Sequence, residues 1–196
     1  SLNGMTYDAN GNIVTLNQKG WKPGGSVTID SLLYTYFDNS NRLKNVLDRT
    51  NDVNTKLGDF RSSSAYMSLL ANNKTTGSTD YSYDSVGNLV KDMNRDINNG
   101  GANGILYNYM SLPETVYING KGSIDYIYDG AGIKLKKIIH ETGQPDKTIL
   151  YSGSAVYEND VLQFIGSEEG RIRFKQVDSS FAYDYFIKDH LGNVRM

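Results

Sequence analysis

Histidine and acidic side chains are the groups in this sequence whose types and spacing could carry out chemistry. His190 follows Asp189, and a neighbouring carboxylate and imidazole can act in general acid–base catalysis. Asp189 also begins an Asp-x-x-Gly turn, which places His190 at the second turn position with an exposed side chain. Because adjacent turn side chains rarely converge on one reacting atom, we interpret the pair as part of a turn. The other histidine, His140, precedes Glu141 at the predicted end of a strand.

A second candidate is a run of alternating Asp and Asn residues whose spacing imitates the oxygen ligands of a calcium-binding loop. Its sixth position is Ile97, where a calcium loop has glycine, and its twelfth is Asn103, where the loop has a bidentate glutamate. We therefore interpret the run as a solvated strand face followed by a loop. Its members are Asp92, Asn94, Asp96 and Asn98.

Glu168 and Glu169 could be the paired carboxylates of a glycosidase, but neighbours in a turn before Gly170 are better explained as exposed charges. The chain contains no cysteine, no glycine-rich phosphate loop and no serine nucleophile elbow. These features predict a protein without catalytic residues, a metal site or a cofactor. Asn73-Lys74-Thr75 fits a glycosylation sequon, a pattern that is common by chance.

The elements that position these residues are predicted to be β-hairpins. Tyr81 to Val90 contains two tyrosines on one face of a strand, an Asp-x-x-Gly turn and the start of a return strand. The phrase recurs along the chain. The predicted turn residues are Asp8, Gly11, Asp38, Asn41, Asp84, Gly87, Asp129, Gly132, Asp189 and Gly192. The repeat aromatics are Tyr7, Tyr34, Tyr36, Tyr81, Tyr83, Tyr107, Tyr109, Tyr126, Tyr128, Tyr183 and Tyr185.

Variations of the phrase give further expectations. The copy at Tyr107-Asn108-Tyr109 keeps the strand, but Leu112-Pro113 replaces its turn. Trp21 to Thr28 is predicted to be a long hairpin loop, and Lys136-Lys137 a bulge. Residues 50–80 are polar and are predicted to be a loop-rich insert or degenerate repeat, with a short helix near 65–70. Tyrosines at period two are expected to stack across neighbouring strands and stabilise the sheet.

Composition and the repeated hairpin signals favour an all-β chain with about fourteen to sixteen short strands, formed as antiparallel hairpin repeats. The chain has 196 residues, 20 glycines, 15 tyrosines and 3 prolines, which favours strands and tight turns. Its net charge of −2 and lack of a basic cluster argue against nucleic acid as a partner. No apolar run approaches the roughly 20 residues that span a bilayer.

The repeated phrase Tyr-Asp-x-x-Gly-Asn/Arg-Leu/Ile/Val resembles the YD repeat of Rhs (rearrangement hotspot) proteins. The sequence from Tyr183 to Arg195, with Asp-His-Leu-Gly-Asn-Val-Arg at its end, resembles the closing motif of the Rhs core, here about residues 181–196. The resemblance covers nearly the whole chain. It implies a long, curved, partly rolled sheet that forms part of a β-sheet shell. The resemblance also implies a secreted or cell-surface bacterial protein, in which the shell encloses a variable C-terminal toxin. The Asp-Pro-x-Gly region where such proteins cleave themselves is absent, so no cleavage residue is assigned.

We therefore expect a non-catalytic scaffold that encloses or displays an attached polypeptide. Its expected partners are neighbouring repeats and a covalently attached C-terminal domain. The alternative is a surface module in which tyrosines bind carbohydrate or protein, and an enzyme is the weakest hypothesis. Both ends of the chain are expected to be cut from a longer protein, which would expose strand edges. Self-association through those edges is a further expectation, which sedimentation velocity can measure.

Overall fold

The computed structural model describes residues 1–50 and 59–195. Within them lie seventeen strands, a short α-helix and a 3₁₀ turn, and all of the paired strands are antiparallel. The predicted all-β class is therefore confirmed. The chain divides into two compact units. Unit 1 comprises Ser1–Leu106 with Tyr117–Asn119, and unit 2 comprises Tyr107–Val116 with the residues from Gly120 onward.

Unit 1 begins with a four-stranded meander in the order β1-β2-β3-β4. The polar segment after it carries the helix α1, Ser64–Leu69, as predicted, and no strand within residues 59–80. Residues 51–58 of the predicted insert lie outside the described residues. The strands of this half are β1 (Leu2–Tyr7), β2 (Ile13–Lys22), β3 (Gly25–Tyr36), β4 (Leu43–Asp48), β5 (Tyr81–Tyr83), β6 (Leu89–Asp92), β7 (Asn98–Asn99) and β8 (Ala102–Asn103); Met93–Arg95 forms the 3₁₀ turn.

The remaining strands form a nine-stranded sheet in which each strand pairs with the next one along the chain. Its members are β9 (Ile105–Tyr107), β10 (Pro113–Ile118), β11 (Gly122–Tyr128), β12 (Lys134–Glu141), β13 (Lys147–Ser152), β14 (Ala155–Glu158), β15 (Val161–Ser167), β16 (Gly170–Lys175) and β17 (Ser180–Tyr185). Such a meander needs only short connections between antiparallel neighbours. The turn at Asn159-Asp160 has positive φ at both residues, as a two-residue hairpin turn requires.

Four hairpin turns are held by the same set of hydrogen bonds, which the repeated Asp-x-x-Gly sequence provides. In each, one carboxylate oxygen of the Asp accepts the backbone N–H groups two and four residues later, at 2.8–3.1 Å. The residue three positions after the Asp is glycine with φ between 83° and 100°. Positive φ is easy for glycine and costs other residues energy. These turns begin at Asp8, Asp84, Asp129 and Asp189.

The copy that follows Tyr107 has an intact turn, so its prediction as degenerate was wrong. Asn108 Oδ1 accepts the N–H groups of Met110 and Leu112 at 2.9 and 3.1 Å, as the aspartates do elsewhere. Ser111 takes the glycine position with φ 56°. The strand therefore ends at Tyr107, and Tyr109 lies in the turn with 87% of its surface exposed. An amide oxygen accepts hydrogen bonds in the same geometry as a carboxylate oxygen, and this equivalence hid the turn.

The turn at residues 37–42 also differs from the prediction. Its backbone closure runs from Phe37 N–H to the Arg42 carbonyl at 3.0 Å, one residue longer than in the Asp turns. Asn39, with φ 53°, is the left-handed residue, whereas Asn41 is not and Asp38 does not hold the turn. Asn41 Oδ1 instead accepts hydrogen bonds from Asn10 and Asn12, which connects this turn to the first one.

Two smaller predictions need correction. Trp21 to Thr28 is not a long loop, because β2 continues to Lys22 and β3 begins at Gly25, with Ser26 paired to Trp21. Two residues, Pro23 and Gly24, connect these strands. The predicted bulge exists but lies at Leu135, since Ile127 pairs with Lys136 and Tyr128 with Lys134.

Tyrosines that precede turns connect successive hairpins. Tyr36 Oη donates to the Ile13 carbonyl at 2.8 Å, Tyr83 Oη to the Leu43 carbonyl at 3.0 Å, and Tyr128 Oη to the Pro113 carbonyl at 3.0 Å. In every case the acceptor is the first residue after the preceding turn. The contribution of these tyrosines is thus a hydroxyl bond from one hairpin to the one before it. In the described residues the repeat tyrosines make ring contacts between Tyr83 and Phe37 and between Tyr126 and Tyr128 of one strand, and not the expected stacks across neighbouring strands.

We predict that Gly132→Val destabilises the protein by about 1–2 kcal/mol more than Ala131→Val. Gly132 has φ 85°, and a Cβ there would lie 3.3 Å from Leu112 Cδ1, whereas Ala131 has no positive φ. Urea unfolding followed by circular dichroism measures the difference. Equal unfolding midpoints for the two variants would contradict the assigned role of the glycine. Gly192→Ala, where φ is 83° but a Cβ meets open space, separates backbone strain from crowding.

Candidate functional site

The carboxylate of Asp80 is completely buried in unit 1 and joins several segments of the chain. Its Oδ1 accepts hydrogen bonds from Asn45 Nδ2 and Tyr66 Oη, each at 3.0 Å. Its Oδ2 accepts the Val46 backbone N–H at 2.9 Å and Asn94 Nδ2 at 3.0 Å. The donors come from β4, α1 and the 3₁₀ turn, so one side chain joins three separate segments.

Lys74 supplies the positive charge that Asp80 needs. Its ammonium lies 2.8 Å from Asp80 Oδ2, and it also donates to Asn94 Oδ1 at 2.7 Å and Ser62 Oγ at 2.9 Å. The three donors of the ammonium are thereby satisfied, with 6% of the side chain exposed. Burial lowers the pKa of Lys74, and the neighbouring Asp80 opposes that shift.

Tyr66 completes the network as a fixed donor. Burial, and then the negative charge of Asp80, raises the pKa of its hydroxyl, so the group stays protonated. It is anchored by α1, which Ser63 caps by accepting the Tyr66 N–H on its hydroxyl. A carboxylate with this many donors and a paired ammonium is a structural centre. Its partners Asn45, Tyr66 and Asn94 are buried with it.

The alternating Asp and Asn run belongs to this buried centre, so its prediction as a solvated strand face was wrong. Asn94, Asp96 and Asn98 are buried, and Asp92 caps the 3₁₀ turn by accepting the Asn94 N–H at 3.0 Å. Asp96 adopts the left-handed conformation with φ 59°. The residues point into the protein because β6 gives way to the 3₁₀ turn after Asp92, which changes the direction of the side chains.

His140 lies between two carboxylates in unit 2. Its Nδ1 is 2.8 Å from Asp146 Oδ1 and its Nε2 is 3.0 Å from Asp125 Oδ2. Hydrogen bonds to Asp146 first, and to Asp125, raise the pKa of His140 above its usual 6.5. Both ring nitrogens must carry protons to make these bonds, so neither accepts a proton from a nucleophile. Thr115 Oγ1 contacts Asp125 and not the imidazole.

The remaining candidates lie on exposed turns. His190 is exposed in the Asp189 turn, where the carboxylate is engaged by backbone N–H groups, Asn193 and Arg195. Glu168 and Glu169 are exposed before Gly170, and their backbone carbonyls accept Lys188 Nζ and the Phe186 N–H. These side chains converge on no common point.

A groove in unit 2 runs between the turns at Asn108 and Asp129 and has a volume of about 480 Å³. Its lining combines aromatic rings with carboxylates: Tyr109, Glu114, Tyr126, Tyr128 and Asp129. The rings of Tyr126 and Tyr128 have their centroids 6.5 Å apart, and Lys134 Nζ lies 4.3 Å from the Tyr126 centroid. The groove brings three of the repeat aromatics, Tyr109, Tyr126 and Tyr128, to one surface.

Comparison with known proteins identifies no relative: no family model matches the chain, and no curated protein is significantly similar to it. The resemblance to YD repeats therefore stays a prediction. Within residues 1–50 and 59–195, no helix combines the length and apolar character that crossing a membrane requires. Function has to be inferred from the geometry of the hairpins and of their polar clusters.

We predict that Lys74→Met destabilises the protein by about 3–5 kcal/mol, because it leaves the buried Asp80 carboxylate without its counter-charge. The matched control is Lys147→Met. Lys147 pairs with Glu158 at 2.8 Å, but the two side chains are 45% and 38% exposed, so its loss is expected to cost about 0–1 kcal/mol. Urea unfolding measures both effects. Equal losses for the two variants would show that Asp80 does not depend on Lys74.

Proposed function

We propose that this chain is a non-catalytic scaffold of the Rhs/YD-repeat type. It forms part of a β-sheet shell that encloses or displays an attached C-terminal polypeptide, such as a toxin, in a secreted or cell-surface bacterial protein. The observation that carries the proposal is the nine-stranded sheet. Among the described residues, every buried hydrophobic side chain belongs to unit 1, and Ile105 in the first strand, β9, is the one that lies in this sheet. The strands from β10 to β17 therefore contain no buried hydrophobic side chain.

A sheet that folds as an independent layer normally buries one face against another layer. The described strands of unit 2 expose large apolar side chains instead, including Ile127, Phe181, Tyr183 and Tyr185. Exposed apolar surface of this kind marks a face that another polypeptide covers. Each hairpin is joined to the previous one, so further hairpins can be added without a new hydrophobic core. This property suits a shell that is assembled from repeated hairpins.

The described polar clusters also support a structural role over a catalytic one. His140 is held between two carboxylates, and Asp189 is occupied by its own turn. Asp80 and Lys74 neutralise each other in the interior of unit 1. Each of these groups stabilises the hairpins or the segments that connect them.

The test is limited proteolysis of the natural gene product that contains this chain. It measures how fast the polypeptide after residue 196 is cleaved. The proposal expects a domain there that resists protease in the intact protein and is cleaved readily when Gly132→Val disrupts the hairpin stack. Ala131→Val, in the same turn, should leave the protection intact. A downstream segment that is cleaved equally fast in all three proteins would contradict enclosure.

A second candidate function is carbohydrate binding, favoured by the aromatic and acidic groove between the turns at Asn108 and Asp129. Tyrosine offers sugars a flat apolar face with a polar tip. We expect Tyr109→Ala to abolish glycan-array binding, because Tyr109 is exposed in the groove. Tyr185→Ala, which removes an exposed tyrosine outside the groove, should have no effect. An array on which the unmodified chain binds no glycan would eliminate this candidate.

A further inference from the structure

Three aspartates converge in unit 1, on the side of a cavity that both Asp48 and Lys74 line. Asp30 lies in β3, Asp48 is the last residue of β4, and Asp59 precedes α1. One carboxylate oxygen of each lies within 4.8 Å of those of the other two. Asp30 is 3% exposed, and the Asp59 side chain is 2% exposed. The sequence gives no local signal for this cluster, because its members are distant along the chain.

The cluster contains acceptor oxygens that the protein leaves unused. Asp48 Oδ2, Asp59 Oδ1 and the hydroxyl oxygen of Thr50 are buried and have no hydrogen-bond partner among the described residues. Buried polar atoms without a partner are rare, because they lose their bonds to water and gain nothing in return. Two carboxylates of one cluster that each have such an oxygen, Asp48 and Asp59, therefore indicate that a positively charged or proton-donating group is expected there.

The other oxygens of these side chains are already held in place. Asp48 Oδ1 accepts the N–H groups of Ser31 and Thr50 at 2.9 and 3.0 Å, and Asp30 Oδ1 accepts the Phe60 N–H at 2.7 Å. Asp59 Oδ2 pairs with Arg61 Nε at 2.6 Å. In metal sites, hydrogen bonds of this kind hold the ligand side chains in the orientation that metal binding requires. Each carboxylate thus has one oxygen that is held by a hydrogen bond. In Asp48 and Asp59 the second oxygen has no hydrogen-bond partner among the described residues.

Among residues 1–50 and 59–195, one basic side chain pairs with the carboxylates of the cluster. Three carboxylates are accompanied by the guanidinium of Arg61, which pairs with Asp59 at the side of the cluster. Burial, and to a smaller degree the negative charges of Asp30 and Asp59, raises the pKa of Asp48. Like charges held this close repel each other strongly in a buried site. A bound cation removes this repulsion and supplies a partner for the free oxygens at the same time.

We propose that Asp30, Asp48 and Asp59 form a binding site for Ca²⁺. The ligands are all oxygens, which a hard cation prefers, and no histidine or cysteine takes part. Two oxygens bound to one Ca²⁺ at about 2.3–2.6 Å lie up to about 5 Å apart, which matches the spacing of the carboxylates. Bound Ca²⁺ connects β3 and β4 to the segment that leads into α1. This site is independent of the scaffold proposal.

The test is a calcium titration of the full chain after removal of metals with EDTA. We expect isothermal titration calorimetry to show binding, and the melting temperature to rise by several degrees in CaCl₂ relative to NaCl of equal ionic strength. Magnesium should give a smaller rise, because it demands a tighter octahedral site. No heat together with unchanged melting in calcium overturns the proposal, and an equal response to magnesium overturns the assignment to calcium.

Asp48→Asn tests whether the response comes from this site. The amide oxygen keeps the bonds to Ser31 and Thr50, and its NH₂ group can donate to a neighbouring carboxylate. Without metal, the variant should melt at or above the temperature of the unmodified chain, while its calcium affinity falls at least tenfold. Asp38→Asn removes the same charge from an exposed turn and should bind calcium normally. Unchanged affinity in Asp48→Asn overturns the proposal, and the titration of the unmodified chain decides it independently of any variant.

Discussion

The buried carboxylate of Asp80 is the constraint on which unit 1 depends. A charge without access to water is tolerated only when its hydrogen bonds and counter-charge are complete. Asp80 obtains them from four neutral donors and Lys74, which belong to segments far apart in sequence. The position of each segment is therefore set by the need to reach the same two oxygens. A shift of any one of them would leave a donor or the carboxylate unpaired.

This requirement explains why the interior of unit 1 is as polar as it is apolar. Six hydrophobic side chains are fully buried in the described residues, and six polar or charged ones are buried with them. The apolar set stabilises the packed state in proportion to its buried area but does not specify direction. The polar set specifies direction, because hydrogen bonds have preferred distances and angles. In this unit the polar set therefore determines how β4, α1 and the 3₁₀ turn are arranged.

Features whose contacts lie close together in sequence were predicted, whereas features that depend on contacts between distant residues were missed. The turns at Asp84 and Asp129 were predictable because their hydrogen bonds close within five residues. The turn at Asn108 was missed because Asn108 and Ser111 replace the Asp and the Gly of the other turns, although its hydrogen bonds are the same. The burial of Asn94 could not be predicted from alternation, since its partners Lys74 and Asp80 lie in the polar stretch before β5. The convergence of Asp30, Asp48 and Asp59 depends on tertiary packing in the same way.

The nine-stranded sheet follows a different principle, which links its architecture to the proposed role. Three kinds of hydrogen bond stabilise its hairpins. Aspartate side chains accept backbone N–H groups within their own turns, neighbouring strands pair through their backbones, and tyrosine hydroxyls donate to the preceding hairpin, as Tyr128 Oη does to the Pro113 carbonyl. All of these connect a hairpin to itself or to its neighbour, so another hairpin can be added without changing the existing ones. Within the described residues, the strands from β10 to β17 contain no buried hydrophobic side chain. A sheet built in this way can grow into a wall, but its apolar side chains are protected from water only when another polypeptide lies against it.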